Sequence, residues 1–118
     1  MIFVHGMADP IFSALDTIRY VDALHDRYGK QADGFTRLFL IPGMNHCAGG
    51  PATDQYDAVS ALDAWVEKGD APARLIATAR KSPDVPWPGR TRPLCPYPTT
   101  AKYKGSGDIE VADSFECR

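Results

Sequence analysis

"FTRLFLI", residues 35–41, is the stretch that decides how this chain folds. Leu38, Phe39, Leu40 and Ile41 follow one another with no polar interruption. A strand with one wet face alternates apolar and polar residues; a continuous apolar run has no wet face. Strands of parallel sheets read this way because helices cover both their faces. The expectation is therefore a buried parallel strand with a parallel neighbour. "MIFVH" (1–5), apolar, partly β-branched and ended by Gly6, supplies that neighbour. Between the two, Ile18, Val21, Leu24 and Tyr28 recur at helical spacing, with Asp16 read as the N-cap and Gly29 as the residue that ends the helix. A crossover of this length implies parallel strands and a right-handed connection.

Beyond residue 41 comes a loop (42–53), then a second helix over about 54–68. Its apolar stripe is Ala58, Ala61, Leu62, Trp65 and Val66, and Gly69 closes it. "ARLIATA" (73–79) reads as a third extended segment. Residues 1–80 are thus an α/β unit of βαβα order. From residue 81 the character changes: 81–118 hold most of the prolines and little periodicity, and are expected to form an irregular extension packed on the first part. Cys95 and Cys117 lie in this stretch, which needs a staple, and a disulfide between them is the expected one. Cys47 is left over, which in an oxidising environment means a free thiol or a bond outside the chain.

With 118 residues, 44% apolar and 24% charged, the chain suits one globular domain rather than disorder. Its net charge of −2 argues against a nucleic-acid partner, which calls for a basic stripe. No apolar run approaches the roughly 20 residues that span a bilayer. "MIFVHGMADP" lacks the basic lead-in of a signal peptide and opens directly as a strand, so Met1 reads as a truncation point.

Ligands of open α/β sheets bind beyond the carboxyl ends of the strands. Asp9 follows the first strand and His46, in "GMNHC" (43–47), follows the second, so parallel strands bring both to one edge. A carboxylate that orients an imidazole is the second half of a nucleophilic triad. The order acid then base is that of the α/β-hydrolases, in which a serine comes first. No G-x-S-x-G elbow is present: Ser13 enters a helix, Ser60 is inside one, Ser82 precedes a proline, and Ser106 and Ser114 are in the tail. Singly, Asp9 is better read as a turn former and His46 as a surface or packed residue; their joint placement reverses this and favours chemistry. His5 lies where it could line the same crevice, and His25 falls on the polar side of its helix. Adjacent His46 and Cys47 are poorly disposed toward one metal ion, and no spaced ligand set, phosphate loop or C-x-x-C appears.

Three blocks carry a resemblance: "HGMADPIFSALDTIRYVDAL" (5–24), "RLFLIPGMNHCAGGPATDQYDAVSALDAWVEKGDAPARLIATAR" (37–80) and "RTRPLCPYPTTAKYKGSGDIEVADSFEC" (90–117). Together they resemble the C-terminal end of the tannase and feruloyl esterase family, whose members are secreted serine esterases with an α/β-hydrolase domain and an inserted lid. The resemblance implies that Asp9 is the catalytic acid and His46 the base. It implies that Cys47 bonds to a cysteine directly before the nucleophilic serine, and that Cys95 and Cys117 form a further pair. The serine, the oxyanion loop and the lid with its calcium site have no counterpart in these residues, so no metal or other cofactor is expected here. The implied protein is a secreted or periplasmic hydrolase of aromatic acid esters. This chain would be a C-terminal fragment of its α/β-hydrolase fold with a proline-rich, disulfide-pinned tail, inactive alone, its partners being an aromatic ester and the remainder of the hydrolase domain. The alternative is a non-catalytic binding or interaction module on a remnant hydrolase fold.

Overall fold

The computed structural model describes all residues, 1–118. Two strands form the central element: β1 (Ile2–Gly6) and β2 (Arg37–Ile41) are parallel, with Ile2 opposite Arg37 and Gly6 opposite Ile41. Helix α1 (Ala14–Tyr28) crosses between them, followed by a 3-10 turn over Gly29–Gly34. Side chains alternate across a strand, which sorts β2 onto two faces. Phe39 and Ile41 enter the main core with Met44, Ala52, Leu75, Ala77 and Leu94, and Val4 of β1 packs against it. On the other face α1 is tied to β1 by an edge-on Phe3–Tyr20 contact and by a His5–Thr17 hydrogen bond. The continuous apolar run is thereby explained: Leu38, Phe39 and Ile41 are all buried, on both sides of the sheet.

Helix α1 starts earlier than Asp16. Ser13 is the N-cap, extended in backbone, with its Oγ accepting from the Leu15 amide at 3.2 Å. Asp16 lies inside the first turn and pairs with Arg19, a place where a carboxylate favours the helix dipole. Of the expected apolar stripe, Val21 is buried, whereas Tyr28 is exposed and meets Phe35 edge-on. Helix α2 (Ala58–Lys68) starts later than expected, capped by Asp57, whose side chain accepts from the Ser60 amide; Gly69 ends it in the left-handed region. Residues 54–57 stay out of the helix because Gln55 exchanges both backbone hydrogen bonds with Thr78. The α2 stripe is divided: Ala58 and Ala61 pack on the core, while Leu62 and Val66 are exposed, as is Val59 outside the stripe.

The third extended segment is strand β3 (Leu75–Thr78), and it does not join the parallel sheet. It pairs antiparallel with β4 (Thr91–Leu94), so regular structure crosses residue 80. The tail is also less irregular than its composition implies. It carries β4 and an antiparallel pair, β5 (Ala101–Tyr103) with β6 (Phe115–Cys117). These strands are only three or four residues long, too short for a periodic signal, and β4 contains Pro93. Pro93 fits because the ladder asks no donor of it. Two residues earlier on the same side, Thr91 sends its N–H away from β3 to Glu110. The expected disulfide is formed: Cys95 and Cys117 are bonded, joining the end of β4 to β6. The tail then covers the outer edge of β2, where the Tyr97 amide donates to the Leu38 carbonyl. The opposite edge, that of β1, has no strand beside it. No helix is long and apolar enough to cross a membrane.

Candidate active site

Both loops that leave the carboxyl ends of β1 and β2 open on one edge of the sheet. Their backbones touch directly, since Met7 N–H donates to Ile41 O and Ala8 N–H to Met44 O. Gly6 permits this approach: a Cβ there would lie 2.3 Å from the Met44 carbonyl oxygen. The side chains then meet. His46 Nδ1 donates to Asp9 Oδ2 at 2.8 Å.

Asp9 is held on its other oxygen as well. Oδ1 accepts from the amides of Ile11 (2.8 Å) and Phe12 (3.0 Å), a turn closed by the side chain itself. The carboxylate is only 4% exposed, against 41% for the His46 side chain. Burial alone would raise the Asp9 carboxyl. The hydrogen bonds from His46, Phe12 and Ile11 together outweigh it and bring the group down to about 2 from an ordinary 3.8. Asp9 is therefore an anion under all ordinary conditions, which keeps the Nδ1 proton of His46 in place. Nε2 of His46 makes no hydrogen bond within the chain, and its ring rests against Phe12 at 5.3 Å.

The pair borders an open cleft of about 520 Å³. His5, Phe12, Ser13, Tyr20, Cys47 and Tyr56 also line it. His5 has no free nitrogen: Nδ1 shares a hydrogen bond with Thr17 Oγ1 and Nε2 reaches the Phe12 carbonyl. It braces the Asp9 turn from below, with Nε2 3.6 Å from Asp9 Oδ2. Cys47, next to His46, is a free and exposed thiol at φ 61°. The hydroxyl of half-buried Tyr56 is pushed up, first by burial and then by the neighbouring Cys47 and Asp54. His25 lies away from the cleft, 3.9 Å from Asp33. No three His, Cys, Asp or Glu side chains converge as a metal-ligand set. Sequence reasoning missed a group behind the His46 loop, Asp54 with Arg80. The sequence pattern places Asp54 at a helix start, and only the Gln55–Thr78 pairing brings it to Arg80.

Fold and site together define a class: an α/β protein with a carboxylate–imidazole couple built on the carboxyl ends of adjacent parallel strands. The family model described as tannase and feruloyl esterase matches residues 1–118, and the chain belongs to that family. It is 52% identical over 117 residues to mono(2-hydroxyethyl) terephthalate hydrolase of Piscinibacter sakaiensis, covering 99% of this chain and 19% of that protein. It is 41% identical over 117 residues to a probable feruloyl esterase of Arthroderma benhamiae, covering 96% and 21%. It superposes on the crystal structure of feruloyl esterase B from Aspergillus oryzae with a TM-score of 0.78 and 28% identity, over 99% of this chain and 26% of that one. The chain thus spans about a fifth of the length of the two curated relatives.

Proposed function

We propose that this chain carries the acid and base of a serine carboxylesterase acting on esters of aromatic acids. The observation that supports it most is the 2.8 Å bond from His46 Nδ1 to Asp9, with Nε2 left unengaged at the cleft. In this reading Nε2 takes the proton of a serine hydroxyl as that oxygen attacks the ester carbonyl, and returns it to the leaving alcohol. Asp9 fixes the tautomer and steadies the imidazolium while staying ionised. The serine, the oxyanion donors and the surfaces that select the ester come from outside these 118 residues. The unpaired edge of β1 and the exposed Val59, Leu62 and Val66 on α2 support a remainder of the hydrolase domain packing there. The chain alone then has no specific esterase activity, since neither nucleophile nor oxyanion site is complete. Cys47, free here, is the anchor to the serine loop, and the calcium site of the family belongs to the lid. The Cys95–Cys117 bond suits a secreted or periplasmic protein.

The test is a chimaera. This chain replaces its counterpart in the Piscinibacter sakaiensis hydrolase, and hydrolysis of an aromatic ester is followed. Activity is expected in the chimaera and its loss, by at least about 10³-fold in kcat, on His46→Ala. A folded chimaera whose activity is indifferent to His46→Ala sinks the reading and leaves a binding module in its place.

A further inference from the structure

The His46 side chain has one hydrogen-bond partner, Asp9, and is 41% exposed, so its aim depends on the backbone of its loop. At its near end that loop is tied to the Asp9 loop through Ala8 and Met44. The turn holding His46 is closed by the Asn45 amide donating to Gly49 O. The far end, Gly49 and Gly50, is gripped by a pair of charged side chains. Asp54 Oδ2 accepts from the Gly49 amide at 2.9 Å and from Arg80 Nη1 at 2.6 Å. Arg80 Nη2 donates to the Gly50 carbonyl at 3.0 Å and to Asp84 at 2.5 Å. Asp84 is in turn held by Ser82. The Asp54 side chain is wholly buried and that of Arg80 is 22% exposed.

We infer that Asp54 and Arg80 are positioning residues, a clamp that sets His46 in line with Asp9; this rests on the esterase reading above. A buried ion pair adds little net stability over apolar packing of the same volume. What it does supply here is geometry. Between them the two side chains bind one donor and one acceptor of adjacent residues, Gly49 N–H and Gly50 O, which fixes both the position and the twist of the loop. Only a planar, forked guanidinium serves Asp54, Asp84 and Gly50 at once. The clamp is itself registered by backbone: Gln55 and Thr78 exchange hydrogen bonds of 3.0 and 2.8 Å, which sets Asp54 against the residues just past β3. The clamp thereby acts on the site through His46, without lining the cleft.

The experiment uses the 118-residue chain and compares wild type with Arg80→Gln, Asp54→Asn and Arg80→Lys. Long-range 1H–15N spectra read the tautomer of His46, and amide exchange reads the Asn45 and Gly49 N–H groups. Wild type is expected to show His46 protonated on Nδ1 and both amides protected. If it does not, the Asp9–His46 reading itself fails, and the clamp with it. In Arg80→Gln and Asp54→Asn both protections are expected to fall and the Nδ1–H signal to be lost to a mixed tautomer, while the Tyr97 amide on β2 stays protected. Loop amides that loosen while His46 stays bound to Asp9 overturn the proposal, and so do loop amides that do not loosen. Should a charge-removing variant lose Tyr97 protection too, Arg80→Lys, which keeps the charge without the fork, is judged by the same criteria.

Discussion

The two loops that make the candidate site are built in opposite ways. From Asp9 onward the first loop closes on itself. Its acidic side chain closes the turn on the next amides, Ile11 and Phe12, and Ser13 caps the helix that follows. The His46 loop is held from a distance. It needs the Ile41 carbonyl at its own strand end, which accepts from Met44 N–H, a close backbone approach of Gly50 to Gly43, and Arg80 from 30 residues further on. A self-closing loop survives changes elsewhere and suits the group that stays fixed. A loop braced by remote parts carries the group that moves protons in the proposed esterase, and is exposed to damage in any of its braces.

Five variants, with removal of Arg19 as a control, bear on that contrast. The largest effect belongs to Asp9→Asn in the chimaera. The amide keeps an oxygen for Ile11 and Phe12 but no longer selects the Nδ1–H tautomer, so kcat falls by about 10⁴ with the fold retained. The same variant tests the local turn by pH. The Asp9 carboxyl is held below its ordinary 3.8, at about 2. Its contribution to stability is therefore present above about pH 4 and disappears as pH falls through 2. Denaturation of wild type and Asp9→Asn should differ above that window and converge below it; a gap that persists at pH 2 contradicts the assignment.

Next comes Arg80→Ala, which strands the buried Asp54 carboxylate. It should cost about 3–5 kcal/mol in urea unfolding, whereas removal of exposed Arg19, paired with Asp16 on the α1 surface, costs under about 1 kcal/mol. Then the glycines of the remote loop separate handedness from crowding. Both sit at positive φ, so alanine at either is penalised by about 1–2 kcal/mol. Gly49→Ala meets nothing nearer than 3.8 Å, but Gly50→Ala puts a Cβ 2.2 Å from the Gly43 carbonyl oxygen and must displace backbone. Thermal unfolding should rank Gly50→Ala clearly below Gly49→Ala; equal midpoints would show that the loop is looser than drawn. The smallest effect is local: Ser13→Ala removes the α1 cap and should cost about 1 kcal/mol by chemical denaturation, leaving His46 spectra unchanged.

What was legible in the sequence follows the same division. The parallel β1–β2 pair was readable because a run buried on both faces has no other home, and the edge to which Asp9 and His46 belong followed from strand direction alone. The Cys95–Cys117 bond was readable because a segment without periodicity needs a cross-link. Helix starts were misread by a few residues, since Ser13 and Asp16 are both good caps and only backbone geometry separates them. The short strands of the tail, β4 to β6, were not readable: three or four residues show no period, and Pro93 argues against a strand until the partner of each N–H is known.

By itself, then, the sequence determined the parallel pair, the edge that gathers acid and base, and the turn around Asp9, because each depends on neighbours within a few residues or on burial of a whole segment. Only the tertiary structure decided that Asp54 leaves the helix to meet Arg80, that β3 turns to the tail rather than to β2, and that His46 is aimed from behind. The Arg80 bonds to Asp54 and Gly50 join residues 26 and 30 apart, and hydrogen bonds between such distant groups leave no periodicity in the chain.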